Sequence, residues 1–183
     1  MEKQRSFSQT IPTVAFITAV LLLIPFIVMQ FSNSMNWGAL DFIIVGALIF
    51  CTGTVVAYVI RKGRSLAYKA GVVVASGTTF FMIFANLAVG LIASGPNFAN
   101  LMYAGVVAVC LIGIFISGFK ASKLERTMYA AVFSLVVIAA ISLIGIDWLG
   151  KTSIIEIIAI NGFFATGYIV AALLFRAGAK AEV

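Results

Sequence analysis

The sequence predicts an all-α membrane protein, built as a compact bundle of six transmembrane helices in one domain that spans residues 1–183. Two observations predict this fold class. The chain is 63% hydrophobic and only 10% charged, whereas a soluble domain carries roughly a quarter charged residues. The apolar residues also form six separate segments, each of at least about the 20 residues that a helix needs to cross a bilayer.

The six segments lie near residues 11–31, 38–60, 66–93, 100–119, 127–148 and 153–175. We expect Pro25 to kink the first helix, because proline lacks the amide hydrogen of the helical ladder. The third segment is the longest, so we expect it to tilt or to extend past the membrane. The first segment is too long for the apolar region of a signal peptide, and no small-residue cleavage site follows it, which indicates a retained helix.

The basic residues predict the orientation of the chain. Every Lys and Arg except Lys151 falls on the same side of the six segments. The positive-inside rule then places both termini in the cytoplasm. Aromatic residues at the segment ends support this orientation, with Trp37 and Trp148 expected at the outer interface and Tyr58, Tyr68 and Tyr129 at the inner one.

The even-numbered segments share a spacing that suggests an internal repeat. Each has a polar residue followed 20 positions later by a basic one, in the pairs Asp41 and Arg61, Asn100 and Lys120, and Glu156 and Arg176. Small or polar residues recur five and ten positions after each start. Two explanations stay open. The chain is a triplicated two-helix hairpin, or a bilayer of fixed thickness imposes the spacing.

The composition excludes several classes of site. The chain has no His, which is the commonest transition-metal ligand. Two cysteines cannot form a zinc or iron–sulfur site alone, and we expect Cys51 and Cys110 to be buried small apolar residues. No nucleotide-binding or hydrolase motif is present. The net charge of +6 is spread in short clusters, so we expect no nucleic-acid partner, no cofactor and no metal.

Polar residues at the starts of the even segments predict helix caps. Ser153 and Glu156 have the spacing of a capping box, and Gly38 and Asp41 have the same offset. In the stretch SGPNFANLMYAGV, residues 94–106, we expect Gly95-Pro96 to turn the chain and Asn97 to cap the fourth helix, with Asn100 in its first turn. We expect Tyr103 to anchor at the interface and Gly105 to let a neighbouring helix approach.

The same polar residues also form a candidate site, because they all lie towards the outer face. Asn86 and Asn161 are deep enough to need hydrogen-bond partners in hydrocarbon. One interpretation is that they bond across helices. The other is an outward-facing polar pocket, lined by Asn86, Asn161, Asp41, Glu156, Asn100 and Tyr103.

The stretch from Asn97 to Val106, together with residues 161–165 and the passage from Met29 to Trp37, resembles an uncharacterised family of small multi-span bacterial inner-membrane proteins. Members of that family tend to carry an acidic pair before the first Asn, where this chain has Ser94-Gly95-Pro96. The resemblance implies a bacterial inner-membrane location and brings no activity with it.

These observations favour a non-catalytic membrane protein: an accessory or structural subunit that contacts the lipid bilayer and binds lipid, other membrane subunits or itself. The alternative is a small-solute or ion transporter or channel subunit that uses the outward-facing pocket. A third possibility, an enzyme acting on lipid with Asp41, Glu156 or Asp147 as acid and base, has no nucleophile or metal ligand set to support it.

Overall fold

The structure is a computed structural model that describes residues 7–31, 37–63, 65–92, 98–145 and 153–181. These ranges form six long helices and contain no strand. The helices are α1 (Phe7–Phe31), α2 (Ala39–Ile60), α3 (Leu66–Ala88), α4 (Met102–Ser117), α5 (Ala121–Ile144) and α6 (Ile154–Lys180), with a short 3₁₀ helix at Phe98–Leu101 before α4. All six are long and apolar enough to cross a membrane. The chain is therefore an all-α integral membrane protein whose apolar helices contact lipid.

Several helix boundaries differ from the predicted ones. Helix α3 ends at Ala88, and Gly90 adopts a left-handed backbone (φ 75°) that ends the helical path. Helices α5 and α6 are longer than predicted at the ends that carry basic residues. A hydropathy pattern reports the length inside the bilayer, whereas a helix can continue into water. Helix α1 is continuous through Pro25.

The chain divides into two compact units, residues 1–59 and 60–183. In the first unit, α1 and α2 touch at small residues. A Cβ on Gly46 would lie 3.0 Å from Leu22, and one on Gly53 would lie 2.8 Å from Val14. Few residues of these two helices are buried. The exposed residues include Cys51, so the prediction that it is buried is wrong, whereas Cys110 in the second unit is buried.

The second unit is a bundle of α3, α4, α5 and α6. Helix α6 packs along both α5 and α3, and α4 packs along α5. Side chains from all four helices meet in the interior, and the completely buried ones include Tyr68, Met82, Val106, Leu135, Ile157 and Tyr168. Large side chains therefore fill the centre of this bundle, which confirms the predicted helical bundle for this part of the chain.

Tyr68 defines one end of the second unit, which we call the basic end. Its hydroxyl donates to the carbonyl of Phe119 in the α4–α5 turn, 3.1 Å away. Its ring lies edge-on to Phe175 near the end of α6, with 5.6 Å between centroids. The start of α3, the α4–α5 turn and the end of α6 therefore meet here. Tyr68 is buried inside the protein, and its predicted place at the inner membrane interface stays a prediction.

Two glycines allow close helix packing inside the bundle. A Cβ on Gly113 of α4 would overlap the Thr127 side chain of α5, and a Cβ on Gly167 of α6 would overlap Thr78 of α3. The backbones can approach there only because these positions have no side chain. Gly105, by contrast, faces open space, so the prediction that it admits a neighbouring helix is wrong.

Candidate functional site

Two of the predicted site residues form one cluster at the end of the bundle opposite the basic end. The Asn86 amide nitrogen donates to the backbone carbonyl of Asn100, at 3.0 Å. The Asn100 side-chain oxygen accepts from the backbone amides of Leu91 and Ile92, each at 3.0 Å. Asn100 is 8% exposed, and Leu91 and Ile92 are also buried. Asn100 therefore satisfies two buried backbone amides in the segment just beyond the end of α3.

The side chain of Asn86, unlike that of Asn100, is only partly hydrogen-bonded. Its side-chain oxygen is buried and has no hydrogen-bond partner within the described part of the chain. An unsatisfied buried acceptor costs roughly 1–3 kcal/mol, so each such group calls for an explanation. Asn97, which we expected to cap this region, lies outside the described residues.

Tyr103 and Asn161 form a second pair, between α4 and α6. The Tyr103 hydroxyl donates to the Asn161 side-chain oxygen at 3.3 Å, and the Asn161 amide donates to the Ile157 carbonyl at 2.9 Å. Both residues are buried, at 2% and 4% exposure. The prediction that Tyr103 anchors at the interface is therefore wrong. The interpretation that Asn161 bonds across helices is confirmed by this contact.

The two carboxylates of the predicted pocket cap their own helices. Ser153 and Glu156 form the predicted capping box at the start of α6, with the Ser153 amide 3.3 Å from the Glu156 carboxylate. In the first unit, the Gly38 amide donates to the Asp41 carboxylate at 2.8 Å. Both carboxylates are exposed. The caps satisfy backbone amides that a helix start leaves free.

The six predicted pocket residues thus fall into separate arrangements. Asn86 joins Asn100, and Tyr103 joins Asn161, whereas Asp41 and Glu156 each bond within their own helix start. A pocket that combines all six stays a prediction. Asp147, the further acid considered for a lipid enzyme, lies outside the described residues.

A third polar cluster lies halfway along the bundle. Thr79 of α3 and Tyr168 of α6 have their hydroxyl oxygens 2.9 Å apart. Thr79 donates its own proton to the Ala75 carbonyl, so Tyr168 is the donor in this pair. The buried thiol of Cys110, from α4, lies next to both residues. Side chains of α3, α4 and α6 meet in this cluster, which was not predicted from the sequence.

A groove of ≈ 440 Å³ opens on the surface of the second unit between α3 and α6. Both hydroxyls that line it are satisfied by their own helices, because Thr78 donates to Val74 and Thr166 donates to Gly162, each at 2.8 Å. None of the predicted pocket residues lines the groove, whose walls are Gly77, Thr78, Phe81, Phe163, Thr166 and Gly167.

The residues that the structure describes contain no group of three His, Cys, Asp or Glu side chains that could hold a metal ion. No protein-family model, curated protein or solved structure matches the chain. The resemblance through residues 97–106 therefore stays a prediction.

Proposed function

We propose that this protein is a non-catalytic accessory or structural subunit of the bacterial inner membrane, which binds lipid or a partner helix through its outer surface. One observation carries the proposal: the interior of the α3–α6 bundle is filled. Completely buried side chains such as Val106, Leu135 and Tyr168 occupy its interior, and ≈ 440 Å³ of open volume lies on its surface.

The buried polar groups support the same proposal. Hydrogen bonds to one another or to the backbone engage Tyr103, Asn161, Thr79 and Tyr168, and Asn100 accepts from backbone amides just beyond α3. Such bonds fix the packing of membrane helices, at roughly 0.6–2 kcal/mol each. A group held in this way is engaged in structure, so we place the binding role on the exterior of the bundle.

The orientation follows from charge. The basic residues at the starts of α3 and α5 and at the end of α6 support an arrangement with both termini in the cytoplasm. Labelling of single cysteines introduced near residues 3 and 180 with a membrane-impermeant reagent tests this orientation. Protection in intact cells and reaction after lysis are the expected results, and reaction at either terminus in intact cells would contradict them.

One observation favours the alternative of a small-solute or ion transporter or channel subunit. The buried Asn86 oxygen has no partner within the described residues, and it lies at the end of the bundle where an outward-facing pocket was predicted. On this alternative, the oxygen would accept a hydrogen bond or ligate a cation on the route of a solute. Substitution of Asn86 by Leu would then abolish uptake by reconstituted vesicles, while leaving the protein folded.

Native mass spectrometry of the protein, released gently from its own membrane, tests the proposed function. We expect retained lipid or a stoichiometric second subunit. A monomer that carries a small polar solute, and loses that solute in the Asn86→Leu variant, would replace the proposal with the alternative.

A further inference from the structure

We propose that the groove between α3 and α6 binds one acyl chain of an anionic phospholipid whose headgroup lies at the basic end of the bundle. This inference deepens the proposed function and rests on it in one respect, namely that the exterior of the bundle is the binding surface.

The chemistry of the groove selects an apolar occupant. The Thr78 hydroxyl already donates to the Val74 carbonyl, and the Thr166 hydroxyl already donates to the Gly162 carbonyl. Neither hydroxyl therefore has a proton left to donate to a polar ligand. Gly77 leaves the floor open, because a Cβ there would meet no atom within 4 Å. A volume of ≈ 440 Å³ falls within the range of about 300–1,000 Å³ that is typical of small-molecule sites.

The groove is closed at one end by aromatic rings. Phe81 lies three residues beyond Thr78 on α3, and Phe163 lies three residues before Thr166 on α6. Their rings meet edge-on with 6.0 Å between centroids. Both residues lie on the side of the groove away from the basic end. An occupant that extends along the helices therefore continues towards the basic end.

The distance from the basic residues to the groove matches the thickness of one leaflet of a bilayer. Lys69 lies nine residues before Thr78, and Arg176 lies ten residues after Thr166. At 1.5 Å per residue these separations are about 14 and 15 Å along the helix axes. A single leaflet of the hydrocarbon core is about 15 Å thick. A lipid with its headgroup level with Lys69 and Arg176 thus places the end of its acyl chain in the groove.

The charge at that end selects an anionic headgroup. Lys69, Arg176 and Lys180 are exposed at the basic ends of α3 and α6, and neither helix has an acidic residue there. Each Lys or Arg near a membrane surface favours an anionic lipid by about a factor of five. The same charges disfavour a second copy of this chain on the groove, because the matching basic ends would repel one another.

Lipid retention by the full chain tests this proposal. The protein is placed in nanodiscs that contain equal amounts of phosphatidylglycerol and phosphatidylcholine with identical acyl chains, and native mass spectrometry counts the lipids that remain bound after release. We expect about one phosphatidylglycerol per chain. Gly77→Leu fills the groove floor, so we expect it to lower this retention roughly fivefold through lost packing contacts.

Gly105→Leu is the matched control. Gly105 is also an exposed helical glycine whose Cβ would meet no atom within 4 Å, but it lies on α4, away from the groove. We expect this variant to retain lipid like the parent. If Gly77→Leu fails to fold, Thr166→Leu fills the same groove from α6 and replaces it. Equal retention by the groove variant and the control would overturn the proposal.

A second pair of variants tests the headgroup. Lys69→Gln with Arg176→Gln should lower the preference for phosphatidylglycerol over phosphatidylcholine by about 25-fold. Lys123→Gln with Arg126→Gln removes two charges from α5 and should leave the preference unchanged. Equal effects of the two pairs would refute the lipid site. A dimer of the chain that Gly77→Leu disrupts would also refute it. A hetero-complex that persists in every variant would leave the proposed function intact while removing this inference.

Discussion

Replacement of Asn100 by Ala tests the structural reading of the cluster at the end of α3. The substitution removes the single oxygen that accepts from the Leu91 and Ile92 amides, and both residues are buried. Two buried donors then lose their partner, at about 1–3 kcal/mol each. We expect the free energy of unfolding to fall by about 2–6 kcal/mol.

Asn86→Ala provides the contrast within the same cluster. It removes one hydrogen bond to the Asn100 carbonyl, but it also removes a buried oxygen that has no partner within the described residues. These effects oppose one another, so we expect a change of less than about 1 kcal/mol. Both variants are measured by SDS titration of the protein in mixed micelles, with helicity as the signal. A loss for Asn86→Ala equal to or larger than that for Asn100→Ala would refute this reasoning.

Three further substitutions test packing and capping, each by the same titration. Gly113→Ala places a methyl group against Thr127 and should lower the free energy of unfolding by about 1–3 kcal/mol. Gly105→Ala is the control and should be neutral or stabilise by up to about 1 kcal/mol. Equal effects of the two substitutions would contradict the close approach of α4 and α5. Tyr168→Phe removes the hydrogen bond to Thr79 and should cost about 0.5–1.5 kcal/mol, so an unchanged stability would argue against this bond. Glu156→Ala removes half of the capping box and should cost about 0.5–1 kcal/mol, with no loss expected if the box does not form in the bilayer.

The sequence predicted the helices well because their cause is local. Apolar length and the positions of charges determine where a chain crosses a bilayer, and the Ser153 and Glu156 cap depends only on a three-residue spacing. The exact ends of α3 and α6 were less predictable. Helix α3 ends at Ala88, five residues before the predicted limit at residue 93, in a stretch whose hydropathy stays high.

The hydrogen-bond partners of the buried polar residues could not be predicted from the sequence. Asn86, Asn100, Asn161 and Tyr103 could be identified as a set that needs partners, since unpaired amides are costly in hydrocarbon. Their actual pairing depends on how α3, α4 and α6 rotate about their axes, which no spacing within one helix determines. The groove was missed for the same reason, because its walls come from two helices whose facing residues are far apart in the chain.

The glycines illustrate the same limit. Gly113 and Gly167 lack the four-residue repeat of a known packing motif, so their spacing does not predict a helix contact. Each is nevertheless a close-approach position, because a threonine of a neighbouring helix lies against it. Gly105 belongs to a more conspicuous motif and yet faces open space.

The central claim is that the bundle has a packed interior and acts through its exterior. Cys110 tests this claim directly, because it is a native thiol that lies buried beside Tyr168 halfway along α4. The measurement is the reaction of Cys110, in a Cys51→Ser background, with a small water-soluble methanethiosulfonate applied to both sides of the membrane in proteoliposomes. The packed bundle predicts no reaction until the protein is unfolded. Rapid modification of Cys110 in the folded protein would show a water-filled path into the bundle and would contradict the claim.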